Sequence, residues 1–150
     1  MAMTMSGEVQ LAANRDRVWA MLNDPVVLKS CIPGCEQLDK NAENEFQAVA
    51  TIKVGPVKAR WKGKVRLSDL DPPNSYRISG EGEGGVAGFA KGGAQVSLAD
   101  KDGGTLLSYN VEAQIGGKLA QLGQRLINSA AKKTADDFFA KFADAAAKPA

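Results

Sequence analysis

The chain contains no histidine. The side chain most often used as a general base near neutral pH, and as a metal ligand, is therefore missing. Cysteine is scarce: Cys31 and Cys35 are the whole complement. A C-x3-C pair with no histidine and no further cysteine cannot fill a four-ligand zinc site. The first residues have neither a basic n-region nor an apolar h-region, so they do not read as a signal peptide, and the two cysteines read as reduced thiols of the cytosol. No apolar run approaches the roughly 18 residues of a membrane span. Neither sign of charge dominates, with 19 Lys and Arg against 17 Asp and Glu. Only a local patch can then carry charge recognition, and the whole molecule is no nucleic-acid magnet.

The 150 residues, 44% of them apolar, fit one domain with a real core. Thr4 to Ala12 alternates as a strand. Asn14 is placed to cap a helix running to about Leu22, with Val18, Trp19 and Leu22 at helical spacing. Asp24-Pro25 supplies a cap and a first-turn proline for a second short helix, Val26 to Ser30, which Pro33-Gly34 ends. From there the period becomes two. Phe46, Ala48, Ala50, Ile52 and Val54 share a face until Gly55-Pro56 breaks the strand. Val57, Ala59, Trp61, Gly63, Val65 and Leu67 share the next, while Lys58, Arg60, Lys62, Lys64 and Arg66 take its other side. That is an antiparallel strand with one buried and one wet face. After a turn at Asp71–Asn74, strand patterns follow through Tyr76, Ile78 and Gly80, through Ala94, Val96 and Leu98, and through Leu107 to Ile115. The spacing then predicts one long helix from Lys118 to about Ala146, with the stripe Leu119, Leu122, Leu126, Ala130, Thr134, Phe138 and Phe142. Lys148–Ala150 reads as a frayed tail. Residues 1–150 show no repeat and no second domain.

A sheet with a continuous apolar face must cover it, and the long C-terminal helix is the element large enough to do so. The expected fold is α+β. A curved antiparallel sheet of about seven strands wraps a long C-terminal helix, with two short helices after the first strand. The inward candidates are Phe46, Ile52, Trp61, Tyr76, Ile78, Phe89, Val96, Tyr109, Val111, Leu122, Leu126 and Phe138. They fill a solid core or line an apolar pocket. Small residues among them (Ala48, Ala50, Ala59, Gly63, Gly80, Ala94, Ala113), with Gly123 and Ala130 on the helix, either let the helix dock closely or leave space. Buried hydroxyls of Tyr76 and Tyr109 need partners, which a ligand carbonyl would supply.

The row Lys58, Arg60, Lys62, Lys64 and Arg66 has two readings. It pairs with outward Glu45, Glu81 and Glu83 on neighbouring strands, or it meets an acidic protein or an anionic membrane. No exposed aromatics interleave the charges, which argues against nucleic acid. Gly80–Gly85 matches G-x-G-x-x-G formally, but a strand follows it where dinucleotide binding needs a helix. The glycines from Gly80 to Gly93 read instead as a bend and as a mobile gate. Lys132 and Lys133 with Asp136 and Asp137 read as solvated i,i+4 pairs. Gly116-Gly117-Lys118 reads as a turn into the helix.

Three stretches act as a set: Leu28–Cys35 (LKSCIPGC), Gly85–Gly92 (GVAGFAKG) and Gly116–Gly123 (GGKLAQLG). From about Ser6 to Phe142 the chain resembles the CoxG family, named for the G subunit of carbon monoxide dehydrogenase and part of the START-related (SRPBCC) helix-grip superfamily. The resemblance implies a non-enzymatic accessory protein, with no catalytic residue, no metal and no intrinsic cofactor. It implies a bound quinone or lipid. The implied partner is a carbon monoxide dehydrogenase-like molybdenum hydroxylase, which the protein recruits to the membrane or supplies with that ligand. It also implies that the Cys31–Cys35 segment packs at the entrance between the short helices and the sheet. The expected location is the cytoplasm, with peripheral contact at the inner face of the cell membrane. Longer relatives touch the membrane through an extended C-terminal tail that this sequence does not show, leaving the basic row for that contact. The rival reading is a polyketide cyclase or dehydratase of the same fold. Such an enzyme needs an inward acid or base, and without histidine the candidates shrink to Lys91, the two tyrosines and carboxylates that mostly face outward.

Overall fold

The computed structural model describes residues 1–148. Strand β1 (Ala2–Leu11) leads into α1 (Arg15–Leu22) and α2 (Pro25–Cys31). Six strands follow: β2 (Cys35–Ala42), β3 (Glu45–Val54), β4 (Val57–Asp71), β5 (Ser75–Glu83), β6 (Phe89–Lys101) and β7 (Gly104–Gly116). The last element is α3 (Gln124–Ala147). The strands form one antiparallel seven-stranded sheet in the order β1-β7-β6-β5-β4-β3-β2. This is the helix-grip architecture that the patterning predicts.

The helix starts follow from local chemistry. The Asn14 side chain accepts from the Arg17 amide, and Asp24 accepts from the Val26 amide with Pro25 in the first turn. Both caps satisfy amides that a helix start leaves without partners.

Register fixes which residues face α3. Phe46 pairs with Val65, Ala50 with Trp61, Ile78 with Ala94 and Leu67, and Tyr109 with Val96 and Gly7. These share the inner face, and the sheet buries them as two separate clusters. One cluster lies beneath the short helices and the end of α3: Leu11, Val18, Leu22, Phe46, Leu67, Tyr76, Leu107, Phe142 and others. The second lies at the start of α3: Met3, Ile115, Leu119 and Ile127, with Val54, Trp61 and Leu122 against it. Buried Thr105 donates its hydroxyl to the Ala13 carbonyl at 2.7 Å, tying β7 to the chain entering α1.

Three expectations need correction. Phe89 does not face inward. In β6 the inner positions are even, and Phe89 pairs with Glu83 and Gly116 on the outer face, 51% exposed. Its ring lies over Gly116, where a Cβ would collide with it. Second, the long helix begins at Gln124, not Lys118. Gly123, at φ 93°, ends a 3-10 turn at Ala120–Leu122 and redirects the chain. The buried stripe is accordingly shifted by one position at that end: Ile127 is buried, while Leu126 is 38% exposed and Thr134 is exposed. Third, β2 is a strand that alternation does not locate. Of the expected tail at Lys148–Ala150, Pro149 and Ala150 lie outside the described residues.

Candidate functional site

Between the two clusters, the middle of the inner face is not sealed. Val65, Ile78, Ala94 and Val111 belong to β4, β5, β6 and β7, away from both sheet edges, yet each is only half-buried. The backbone of α3 approaches β1, β3 and α2 more closely than it approaches central β5 and β6. Gly63 and Gly80 report the same separation. A Cβ built on either would meet only neighbouring strand atoms, with no atom of α3 within 4 Å. Val65 and Ile78 pack on the first cluster and Val111 on the second, and α3 leaves the Cβ positions of Gly63 and Gly80 between them uncovered.

Two tyrosines mark the flanks of this uncovered stretch. Tyr76 is 2% exposed and meets the Trp19 ring edge-on at 5.2 Å. Burial pushes its phenol pKa well above the ordinary value. No sealed side-chain nitrogen or oxygen among the described residues lacks a hydrogen-bond partner. The Tyr76 hydroxyl, which has no hydrogen-bond partner among the described residues, is therefore not fully sealed. Tyr109 stacks on Phe139 with centroids 5.1 Å apart and planes at 18°. Phe139 meets Phe138 edge-on at 5.0 Å, and Phe138 stacks on buried Phe142 at 5.7 Å. This aromatic chain runs from the first cluster out to a cleft of about 620 Å³ between β1 and α3. Met5, Gly7, Val9, Tyr109, Ala131 and Phe139 line it, with Asn128, Lys132 and Asp136 beside them. The Lys132 ammonium donates to Asp136 at 2.8 Å, and that hydrogen bond raises its pKa.

The predicted lining divides by depth. Phe46, Tyr76 and Val96 are buried inside the first cluster. Ile52, Trp61, Ile78, Tyr109, Val111, Leu122 and Phe138 are half-buried on the helix-facing side. Leu126 sits near the β3–β4 turn, its Cδ2 3.0 Å from where a Gly55 Cβ would stand. Phe139 adds to the predicted lining. The Phe138-Phe139 pair is the signal for it, since adjacent helical residues point about 100° apart and both can meet a surrounding sheet.

On the other side of the sheet, Lys58, Arg60, Lys62, Lys64 and Arg66 are all exposed. Arg60 pairs with Glu36 and Arg66 with Glu45, each at 2.9 Å. Lys58 stands directly opposite Lys53, while Lys62 and Lys64 stand opposite Glu83 and Glu81. A depression of about 810 Å³ crosses this face past Lys64, Arg66, Arg77, Glu81, Lys91 and Glu112. It is larger than the β1–α3 cleft, but its charged, open lining does not suit an apolar ligand. Cys31 is buried and Cys35 half-buried, both as free thiols. Cys35 donates to the Gln37 carbonyl at 3.3 Å, and burial pushes its pKa up. No cluster of Cys, Asp and Glu among the described residues could hold a metal ion.

Over residues 7–147 the sequence matches the CoxG family, that of the carbon monoxide dehydrogenase G subunit. The chain belongs to that family. Among solved structures, this CoxG-family chain is similar to a conserved protein from Geobacillus kaustophilus. The two are 33% identical, with a TM-score of 0.91 over 97% of this chain and 95% of the other. A START superfamily protein from Mycobacterium smegmatis aligns at TM-score 0.72 and 11% identity, over 95% of this chain and 96% of that one. The Zhui aromatase/cyclase from Streptomyces sp. R1128 aligns at TM-score 0.70 and 13% identity, over 97% and 94%. At those identities the likeness is one of fold. No curated protein sequence matches the chain.

Proposed function

We propose that this CoxG-family chain is a non-enzymatic accessory protein that holds a quinone or lipid between α3 and the sheet. It presents that ligand to a carbon monoxide dehydrogenase-like molybdenum hydroxylase, or recruits the enzyme to the membrane. The observation that carries this reading is the unsealed centre of the inner face. Val65, Ile78, Ala94 and Val111 are only half-buried under a helix whose atoms stay more than 4 Å from the Cβ positions of Gly63 and Gly80. An apolar wall with a few polar groups is the usual form of a small-molecule site. The Tyr76 and Tyr109 hydroxyls supply donors for a ligand carbonyl.

Energetics favour a shuttle over a trap. Burying one prenyl unit gains about 3–4 kcal/mol at about 0.8 per methylene-sized group, and the bilayer offers the same unit a similar gain. Extraction sits near balance, and the polar head tips it. The exposed row Lys58, Lys62 and Lys64 is the surface for an acidic partner. A cyclase-like activity would need an acid or base facing that centre. Among the described residues no carboxylate, lysine or arginine is buried; the buried side chains with a polar group are Tyr76, the Cys31 thiol and Thr105, whose hydroxyl is committed to Ala13.

Native mass spectrometry of the purified protein, followed by titration with decylubiquinone and with palmitate, tests the reading. A co-purifying lipid or quinone, or saturable one-to-one uptake, is the expected result. Protein that is empty as purified and ignores both probes would overturn it.

A further inference from the structure

Three connections meet at one end of the strands: the β3–β4 turn at Gly55-Pro56, the Gly84–Gly88 segment and the Gly117–Gly123 linker into α3. The last two are held together. The Leu119 amide donates to the Ala87 carbonyl at 2.9 Å, and Gly88, at φ 116°, packs so tightly on Gly116 that a Cβ would strike its carbonyl. None of the three connections contains an acidic residue. Around them stand Lys53, Lys58, Lys118 and Arg125, all exposed, and none forms an ion pair among the described residues. Lys53 and Lys58 face each other directly across the turn. Like charges so placed are unfavourable unless something outside the chain compensates them. Glu83 is the nearby acid, and it stands opposite Lys62.

The same end carries exposed apolar side chains. Val86 is 83% exposed in the 3-10 turn, Phe89 is exposed on the outer face over Gly116, and Leu126 is exposed beside the β3–β4 turn. The far end is mixed in charge: Asp69 and Asp71 close β4 and Asp102 sits in the β6–β7 turn, with Lys101 beside it and Arg15 paired to Asp100, and Leu70 is 39% exposed there. Exposed apolar tips among cations that form no ion pair with the described residues, and with no acid in the connections between them, match a surface that is greasy within and anionic at its face.

We propose that this end is a peripheral docking surface for an anionic lipid bilayer, with Val86 entering the headgroup region and Lys53, Lys58, Lys118 and Arg125 meeting the anionic lipids. The inference rests on the reading that the chain works at a membrane, and it moves the contact from the sheet face to the strand ends. Docking this way brings Trp61 and Leu122, on the inner wall, up to the bilayer.

Flotation with phosphatidylcholine vesicles, with and without phosphatidylglycerol, tests it. The wild type should float only with the anionic vesicles. Lys58→Gln and Lys118→Gln should each weaken binding about fivefold, and Val86→Asp should abolish it. A Val86→Trp variant should shift its emission to the blue on adding anionic vesicles. Lys62→Gln with Lys64→Gln, on the sheet face, should change little. Loss of binding in that double variant with retention in Lys58→Gln and Val86→Asp would overturn the proposal in favour of the sheet face. So would wild-type protein that takes up decylubiquinone normally yet floats with neither vesicle, which leaves the carrier reading intact. Binding only to an acidic protein partner, with no change in Val86→Trp emission on vesicles, would overturn it as well.

Discussion

The hydroxyl of Tyr109 lies 2.5 Å from where a Cβ on Gly7 would stand. Glycine in mid-strand β1 is therefore a packing choice: it gives the phenol ring room to reach Phe139 and floor the β1–α3 cleft. Gly7→Ala should push the ring off its stack and cost about 1–3 kcal/mol, as overpacking does. Urea unfolding measures that loss, and a weaker near-ultraviolet signal from the tyrosine would show the ring has moved. Unchanged stability and spectrum would mean that the ring keeps its place and the strand yields without penalty.

Gly80 makes the opposite prediction. A Cβ there would make ordinary van der Waals contacts, with the Lys64 carbonyl oxygen at 3.4 Å and a Val65 methyl at 3.5 Å, both from β4, and would meet no atom of α3 within 4 Å. Gly80→Val should fold with stability equal to the wild type, or raised by up to about 1 kcal/mol, because valine suits a strand better than glycine. Its methyl groups would project into the uncovered stretch beneath α3, so uptake of decylubiquinone should fall about tenfold while the protein stays folded. Undiminished uptake would place the ligand somewhere other than this stretch.

Two phenylalanines separate the two faces. Phe142 is fully buried in the first cluster, whereas Phe89 rests on the outer surface over Gly116. Phe142→Ala should cost about 3–5 kcal/mol. Phe89→Ala should cost much less, because half of its ring already meets water. Denaturant midpoints of the two variants provide the comparison, and similar losses would return Phe89 to the interior.

That contrast shows where the sequence is legible. The alternation in β3 and β4 is unambiguous because each strand keeps apolar residues on one side and charges on the other. From Gly80 to Gly93 the glycines carry no such contrast, so the face of Phe89 depends on register with Glu83 and Gly116, which is a tertiary fact. Strand β2 is hidden for a related reason: it is an edge strand interrupted by two register shifts, and all but two of its residues are exposed. The spacing places the start of α3 too early because Leu119 and Leu122 lie at helical spacing. The left-handed backbone at Gly123 breaks the helix between them and Ile127. The inward tyrosines are legible from period alone. Whether the space beside them is filled depends on how far α3 stands from the sheet, which no single strand encodes.

The Tyr76 phenol provides a pH test of its own burial. Its ordinary pKa is 10.0, and desolvation raises it in the folded state. Below pH 10 both folded and unfolded chains keep the proton, so the group adds no pH dependence. As the pH rises above 10 the unfolded chain ionises first, and stability should fall by about 1.4 kcal/mol per pH unit until the folded pKa is passed. Tyr76→Phe should remove that slope, read as the difference between variant and wild type in urea unfolding at about pH 9 and about pH 11. Near neutral pH the variant should be nearly as stable as the wild type, since the hydroxyl has no partner among the described residues to lose. If a ligand carbonyl accepts from that hydroxyl, the variant should also bind decylubiquinone about fivefold to tenfold more weakly, the worth of one hydrogen bond. Equal slopes in the two proteins would mean that the phenol ionises in the folded state as it does in water.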